Sequence, residues 1–332
     1  DGTGNPREML KTFCSEYYGQ KAGPDVFSLH EKIDMNSRNA YHIIYGGLND
    51  CNVMMPEAFT AEGLAVLNRD IAAATGKEKI RLERFRDTFD MFGRMAQIYR
   101  AYCRALNERT PELVNAFETA CAYFEKFWNE KNMTETCRHG LQLLVNKMSK
   151  MKIDLQSRPK GRKELEDKVV WKRELFAGEK VVPAEVPNLF PLPEIWKFRV
   201  DFEDRGLKDG WEKPGYDDGK GWQPLSTWAC FEEQGYAKVD GRFWYRLSFD
   251  APKFPEGKKI KMRVGSLDDN GEVYVNGQLA SKPNSSDDMW DKSYEFDVTS
   301  FIKPGNRNVI AVRGYDSFGA GGICRPCALY TE

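Results

Sequence analysis

Val273-Tyr274-Val275-Asn276-Gly277-Gln278-Leu279 decides how the second half of this chain folds. Three residues of high strand propensity run into Asn-Gly, and a second short run follows. Asn and Gly tolerate the positive φ that a type I′ turn needs at both central positions, so the stretch reads as a tight β-hairpin. Outward from it, apolar and polar residues alternate with a period of two over Trp196 to Phe202, Phe243 to Phe249, Ile260 to Val264, Glu272 to Val275, Tyr294 to Val298 and Asn308 to Val312. Gly and Asp-Gly punctuate the runs. Several short strands with polar turns predict an antiparallel β-sandwich or barrel.

Towards the N-terminus the pattern changes. Between Lys152 and Glu194 charges crowd together from Arg158 to Lys168, and prolines recur at 159, 183, 187, 191 and 193, which marks a domain crossover. Before it, from Asn5 to about Met151, the apolar period is helical. Asn5-Pro6 offers an N-cap with proline at the first helical position, and Gly19 a stop. Leu64, Leu67, Ile71 and Ala74 form one stripe. Phe85, Phe89, Phe92, Ala96, Tyr99, Cys103 and Leu106 form the longest. Thr110-Pro111-Glu112 restarts the chain for Leu113, Phe117, Ala120, Phe124 and Phe127, and Cys137, Leu141, Leu144, Met148 and Met151 close the series. Short connections between long helices predict an up-and-down bundle. Tyr41 to Phe59 reads as a long irregular connection. The expected organisation is multidomain α and β: an all-α helical bundle over 1–152, a proline-containing crossover over 153–192, and the antiparallel β-sandwich over 193–332.

Charge excludes some partners. Among 332 residues, 49 basic and 50 acidic residues leave a formal net charge of -1, so no field favours nucleic acid. No apolar run approaches the roughly 20 residues of a membrane span. The sequence opens Asp1-Gly2-Thr3 without an initiator Met, which suggests that a signal peptide or an upstream domain precedes it. Eight cysteines are scattered rather than dense. Cys103, Cys121 and Cys137 sit on helical stripes as small buried hydrophobes, and the lone Cys324-Arg325-Pro326-Cys327 precedes a strand instead of opening a helix, which favours a structural role, as thiols or as a disulfide.

The β half carries a family resemblance. Trp196-Lys197-Phe198-Arg199, Gly210-Trp211, Tyr216-Asp217-Asp218, Trp222-Gln223-Pro224-Leu225, Glu233-Gln234-Gly235-Tyr236 and Asp240-Gly241-Arg242-Phe243-Trp244-Tyr245-Arg246 succeed one another in order. Gly265-Ser266-Leu267-Asp268-Asp269, Val273 to Gly277, Asp297-Val298-Thr299, Lys303-Pro304-Gly305-Asn306 and Gly321 to Pro326 continue the series. Together they resemble the sugar-binding domain of glycoside hydrolase family 2 and its galactose-binding-like relatives, which implies a jelly roll. Cys324 departs from the pattern, standing where relatives often carry an aromatic. Phe13-Cys14-Ser15-Glu16-Tyr17-Tyr18-Gly19 is similar to the segment that follows a glycosidase-like barrel in an uncharacterised bacterial family, which implies a catalytic barrel upstream of Asp1.

Within the chain itself, catalytic chemistry has no recognisable signature. His30, His42 and His139 form no HExxH, and neither a Gly-x-Ser-x-Gly elbow nor a phosphate loop occurs. The pairs Asp217-Asp218, Glu232-Glu233, Asp268-Asp269 and Asp287-Asp288 fall in predicted turns, where acids cap backbone donors. Binding chemistry fits better, since sugars call for a ring face plus polar groups for the hydroxyls. Trp228 with Glu232, Trp290 with Asp287-Asp288, and Asp316-Ser317-Phe318 with Arg325 sit in expected end loops. Trp196, Trp222 and Trp244 are expected in the core. No cofactor is expected; the one candidate ion is a structural calcium, for which Asp217, Asp218 and Glu332 have suitable oxygens. The resulting expectation is a non-catalytic carbohydrate-binding and scaffold region of a secreted, periplasmic or cell-surface bacterial protein. The alternatives are an accessory part of a glycoside hydrolase and a protein–protein interaction module without sugar.

Overall fold

The computed structural model describes residues 5–38, 48–131, 145–153, 155, 189–282, 293–317 and 319–332. The chain divides into two compact units, Asp1–Tyr102 with Val114–Val145 and Cys103–Leu113 with Asn146–Glu332.

The first unit is helical. Helix α1 (Pro6–Tyr18) begins where the Asn5 side chain accepts a hydrogen bond from the Arg7 amide at 3.0 Å, with Pro6 filling a position that needs no donor. Helices α2 (Gly23–Ser37), α3 (Leu48–Met54), α4 (Glu57–Ala73), α5 (Gly76–Glu108) and α6 (Pro111–Glu130) follow. Helices α4 and α5 approach closely through two glycines: a Cβ at Gly63 would lie 2.4 Å from Phe89, and one at Gly93 2.4 Å from Thr60. That pairing runs antiparallel. The α5 stripe extends into a helix buried nearly all round from Met95 to Arg100, which marks it as central.

The stretch from Tyr41 to Phe59 departs from expectation, because α3 and the start of α4 lie in it. Leu48, Cys51 and Met55 are buried at steps of three and four, and the buried Arg100 guanidinium donates to Asn52 Oδ1 and to the Met55 carbonyl, both at 3.1 Å. The proposed last stripe is described only from Val145. Residues 145–153 are helical with Met148 and Met151 buried, and from Asn146 on they belong with the second unit.

The second unit is an antiparallel sandwich. Its larger sheet has the order β3-β2-β4-β10-β7-β8 and its smaller one β1-β12-β5-β9, with a separate β6-β11 ribbon. The strands are β1 (Phe190–Pro191), β2 (Ile195–Val200), β3 (Gln223–Ser226), β4 (Gly241–Asp250), β5 (Ile260–Val264), β6 (Ser266–Asp268), β7 (Asn270–Val275), β8 (Gln278–Ser281), β9 (Tyr294–Asp297), β10 (Arg307–Asp316), β11 (Gly322–Arg325) and β12 (Ala328–Thr331). β4 and β10 pair along their whole length, from Arg307 opposite Asp250 to Asp316 opposite Gly241. The hairpin turn between β7 and β8 has φ of 52° at Asn276 and 84° at Gly277, as the type I′ reading requires.

Both faces of β4 are buried. On one, Phe243 and Tyr245 pack with Phe198, Phe231 and Tyr236 at centroid distances of 4.8 to 6.0 Å. On the other, Trp244 stacks with Tyr274 at 5.9 Å and meets Trp211, which meets Trp222. Arg246 shares that face. Its guanidinium donates to Asp218 Oδ2 at 2.8 Å and to the carbonyls of Trp211 and Lys213 at 2.7 and 2.8 Å, pinning the 205–222 lobe over the sheet. Asp201 anchors the lobe's start by accepting from the amides of Arg205 and Gly206 and from Trp244 Nε1. Trp196, Trp222 and Trp244 are all buried, consistent with core packing.

Candidate functional site

Three connections meet at one end of the sandwich. After β3, a 3-10 turn (Phe231–Gln234) is held by the Phe231 amide donating to the Gly321 carbonyl at 3.0 Å. After β10, Ser317 donates through its amide and hydroxyl to Asp269 Oδ2, at 2.8 and 2.5 Å. Gly321 is a glycine because a Cβ there would lie 2.5 Å from the Phe231 ring and 2.9 Å from Asp316. Gly322 has φ of +102°, and a Cβ on it would lie 2.5 Å from Tyr245 Oη.

Glu232 is the chemical centre of this end. Its Oε2 accepts from the Gly321 amide at 3.0 Å, while Oε1 is buried with no hydrogen-bond partner among the described residues. Burial pushes its carboxyl up to about 9, with the charge of Asp316 and the thiol of Cys230 adding to the shift and the Gly321 amide opposing it. At neutral pH Glu232 is therefore a carboxylic acid, able to donate as well as accept. Asp316 ends β10 with 0% exposure. The Tyr245 hydroxyl reaches the same cluster from below, and burial raises its pKa well above the ordinary value, reinforced by Cys324, Cys230 and Glu232.

The structure thus brings together Glu232 and Asp316. Trp228 is 7% exposed and offers little ring face. Arg325 is half-buried on β11, opposite Ser266 of β6 across an irregular register. Trp290, with Asp287-Asp288, and Phe318 lie outside the described residues. Tyr245 and Cys230 join the cluster without having been picked out as site residues, and Asp269, read from the sequence as a turn acid, joins it through Ser317. Only the inward phase of Tyr245 on β4, which buries a hydroxyl that must be accommodated, hints at one of them.

The carboxylates suggested for calcium are engaged otherwise. Asp218 is held by Lys197 and Arg246, whose hydrogen bonds outweigh burial and lower its pKa. Asp217 accepts from the Gly219 amide, and Glu332 lies 3.4 Å from Lys261. Among the described residues no three His, Cys, Asp or Glu side chains are grouped as metal ligands, and no helix is long and apolar enough to cross a membrane.

No family model matches the chain. A β-glucuronidase from Paenibacillus borealis is 27% identical over 126 residues, which cover 36% of this chain and 20% of that protein. A β-galactosidase from Thermoanaerobacter pseudethanolicus is 33% identical over 84 residues, covering 25% and 10%. Part of this chain is thus similar in sequence to a β-glucuronidase and a β-galactosidase. The matched part spans a fifth and a tenth of the lengths of these two relatives. Among solved structures, the β-glucuronidase of Ruminococcus gnavus in complex with D-glucaro-δ-lactam aligns with 45% of this chain and 30% of its own, at 21% identity and a TM-score of 0.39. The chain has helices first and an antiparallel β-sandwich after them.

Proposed function

We propose that the sandwich is a non-catalytic carbohydrate-binding module of a larger glycan-degrading protein, and that it takes sugar at the loop end carrying Glu232, Asp316 and Arg325. The helical unit then serves as scaffold and spacer beside a catalytic domain of the same protein, exported to the periplasm, the cell surface or the medium. The carrying observation is the Glu232 carboxyl, with Oε1 buried and lacking a partner among the described residues. Buried polar atoms are nearly always satisfied, so an orphan at a loop end is what a hydroxyl-bearing ligand would complete. A neutral carboxylic acid suits that role, because it can donate to one hydroxyl and accept from another, and Arg325 adds donors nearby. The likeness to a β-glucuronidase and a β-galactosidase supports glucuronides and galactosides as the first ligands to try.

Sugar hydroxyls exchange their hydrogen bonds with water, so affinity of about 0.1–10 mM is expected. A glycan array followed by NMR titration of the whole chain at high sugar concentration tests the reading. Saturable shifts confined to 228–236 and 316–325 support it. Binding of a protein partner without any glycan would favour an interaction module instead.

A further inference from the structure

We propose that Cys230 and Cys324 form a reversible disulfide that ties the 3-10 turn to β11 beside Glu232. The seven described cysteines are all in the thiol form. Cys230 immediately precedes the turn, whose Phe231 amide and Glu232 carboxyl both bond to the backbone of Gly321 at 3.0 Å. Three residues further on, the Cys324 sulfur lies 3.6 Å from the Gly322 carbonyl and 3.9 Å from that of Gly321. The Cys324 thiol is in hydrogen-bonding contact with Cys230, which together with burial holds its pKa well above the ordinary value. Two backbone segments are thus clamped together on either side of two adjoining sulfurs.

Cys327, the sequence partner in the Cys-x-x-Cys, does not share that position. It is buried, with its sulfur accepting from the Gly265 amide and lying near Tyr294. Cys230 and Cys324 are also only partly buried, so a small reagent reaches them.

The oxidant needed is a low-molecular-weight disulfide such as oxidised glutathione. One cysteine thiolate attacks a glutathione sulfur and expels the other glutathione as thiolate. The second cysteine then attacks the mixed disulfide, forming the protein S–S bond and releasing the second glutathione. Two protein thiols lose two protons and two electrons, and one glutathione disulfide becomes two glutathione thiols. Since the thiolate is the attacking species and the Cys324 thiol is held protonated, the rate of disulfide formation should rise about tenfold per pH unit between 7 and 9.

The test is peptide mapping of the whole chain after equilibration in glutathione buffers of increasing oxidised fraction, acid quenching and alkylation under denaturing conditions. The expected result is one cross-linked peptide pair containing Cys230 and Cys324, with Cys327 recovered alkylated. In Cys230→Ser, Cys324 should instead carry a single glutathione. A Cys324–Cys327 link, or full alkylation of both Cys230 and Cys324 at the most oxidising ratio, would overturn the proposal. The map of the unsubstituted chain decides this even if the variant fails to fold.

Discussion

Asn107 and the backbone of Val200 exchange two hydrogen bonds, the side-chain amide donating to the Val200 carbonyl and the Val200 amide donating to Asn107 Oδ1, both at 3.0 Å. The Asn side chain stands in for one rung of a strand at the end of β2. Its own carbonyl accepts from Gln223 Nε2 at 2.9 Å, so the 103–113 segment is sewn to two strands of the unit it belongs to. Replacing Asn107 by Ala leaves a buried amide and a buried carbonyl without partners. The expected loss is about 2–4 kcal/mol of stability, read from urea unfolding of the sandwich unit's tryptophan signal. An unchanged midpoint would mean that the pair is dispensable.

Arg246 offers a second test of how the lobe is held. Arg246→Met keeps most of the buried volume and removes the guanidinium's hydrogen bonds to Asp218, Trp211 and Lys213. Losing one partner of a buried charge pair costs about 3–5 kcal/mol, and the lobe over Trp244 should become susceptible to proteolysis between 205 and 222. Lys197 still reaches Asp218, so a loss at the lower end of that range is expected.

These two residues also show where sequence reading ends. Asn276-Gly277 was legible because its turn chemistry is local, and β2, β4 and β10 because alternation is local too. Arg246 looks like a solvent-facing position of a strand, and only the lobe folded over that face makes it buried. β3, β6 and β11, of three or four residues each, are too short for a period to emerge. Helix α3 was missed because its apolar positions lie within a Gly- and Asn-rich stretch. At the candidate site, Glu232 and Asp316 stood out as acids in end loops. Their meeting with Tyr245, Cys230 and Asp269 depends on strand pairing across more than eighty residues, which no local pattern reports.

Gly322 tests the tightness of that meeting. Gly322→Ala must accept both a positive φ and a Cβ 2.5 Å from Tyr245 Oη, and should cost about 2–4 kcal/mol. Adding Tyr245→Phe removes the oxygen but not the backbone strain, so the double variant should recover only part of the loss. Full recovery would show that φ at 322 carries no cost.

Glu232 predicts a pH dependence. The folded chain keeps the Glu232 proton up to about pH 9, whereas an unfolded glutamate releases it near its ordinary value of 4.5. The stability this group contributes is therefore complete below pH 4.5 and is lost as pH rises towards 9. Glu232→Gln cannot ionise. Between pH 5 and 8 the variant should gain on the parent chain by on the order of 1 kcal/mol per pH unit, measured as the difference between urea midpoints. Parallel curves would place the carboxyl in contact with solvent.

The most direct measurement of the carbohydrate reading is calorimetric titration of the whole chain with galactose and glucuronic acid, repeated for Arg325→Ala. The account predicts saturable binding of at least one sugar in the millimolar range, weakened about tenfold in Arg325→Ala at an unchanged melting temperature, which corresponds to about 1.4 kcal/mol. No heat from any glycan, or equal affinity in a folded Arg325→Ala, would contradict it.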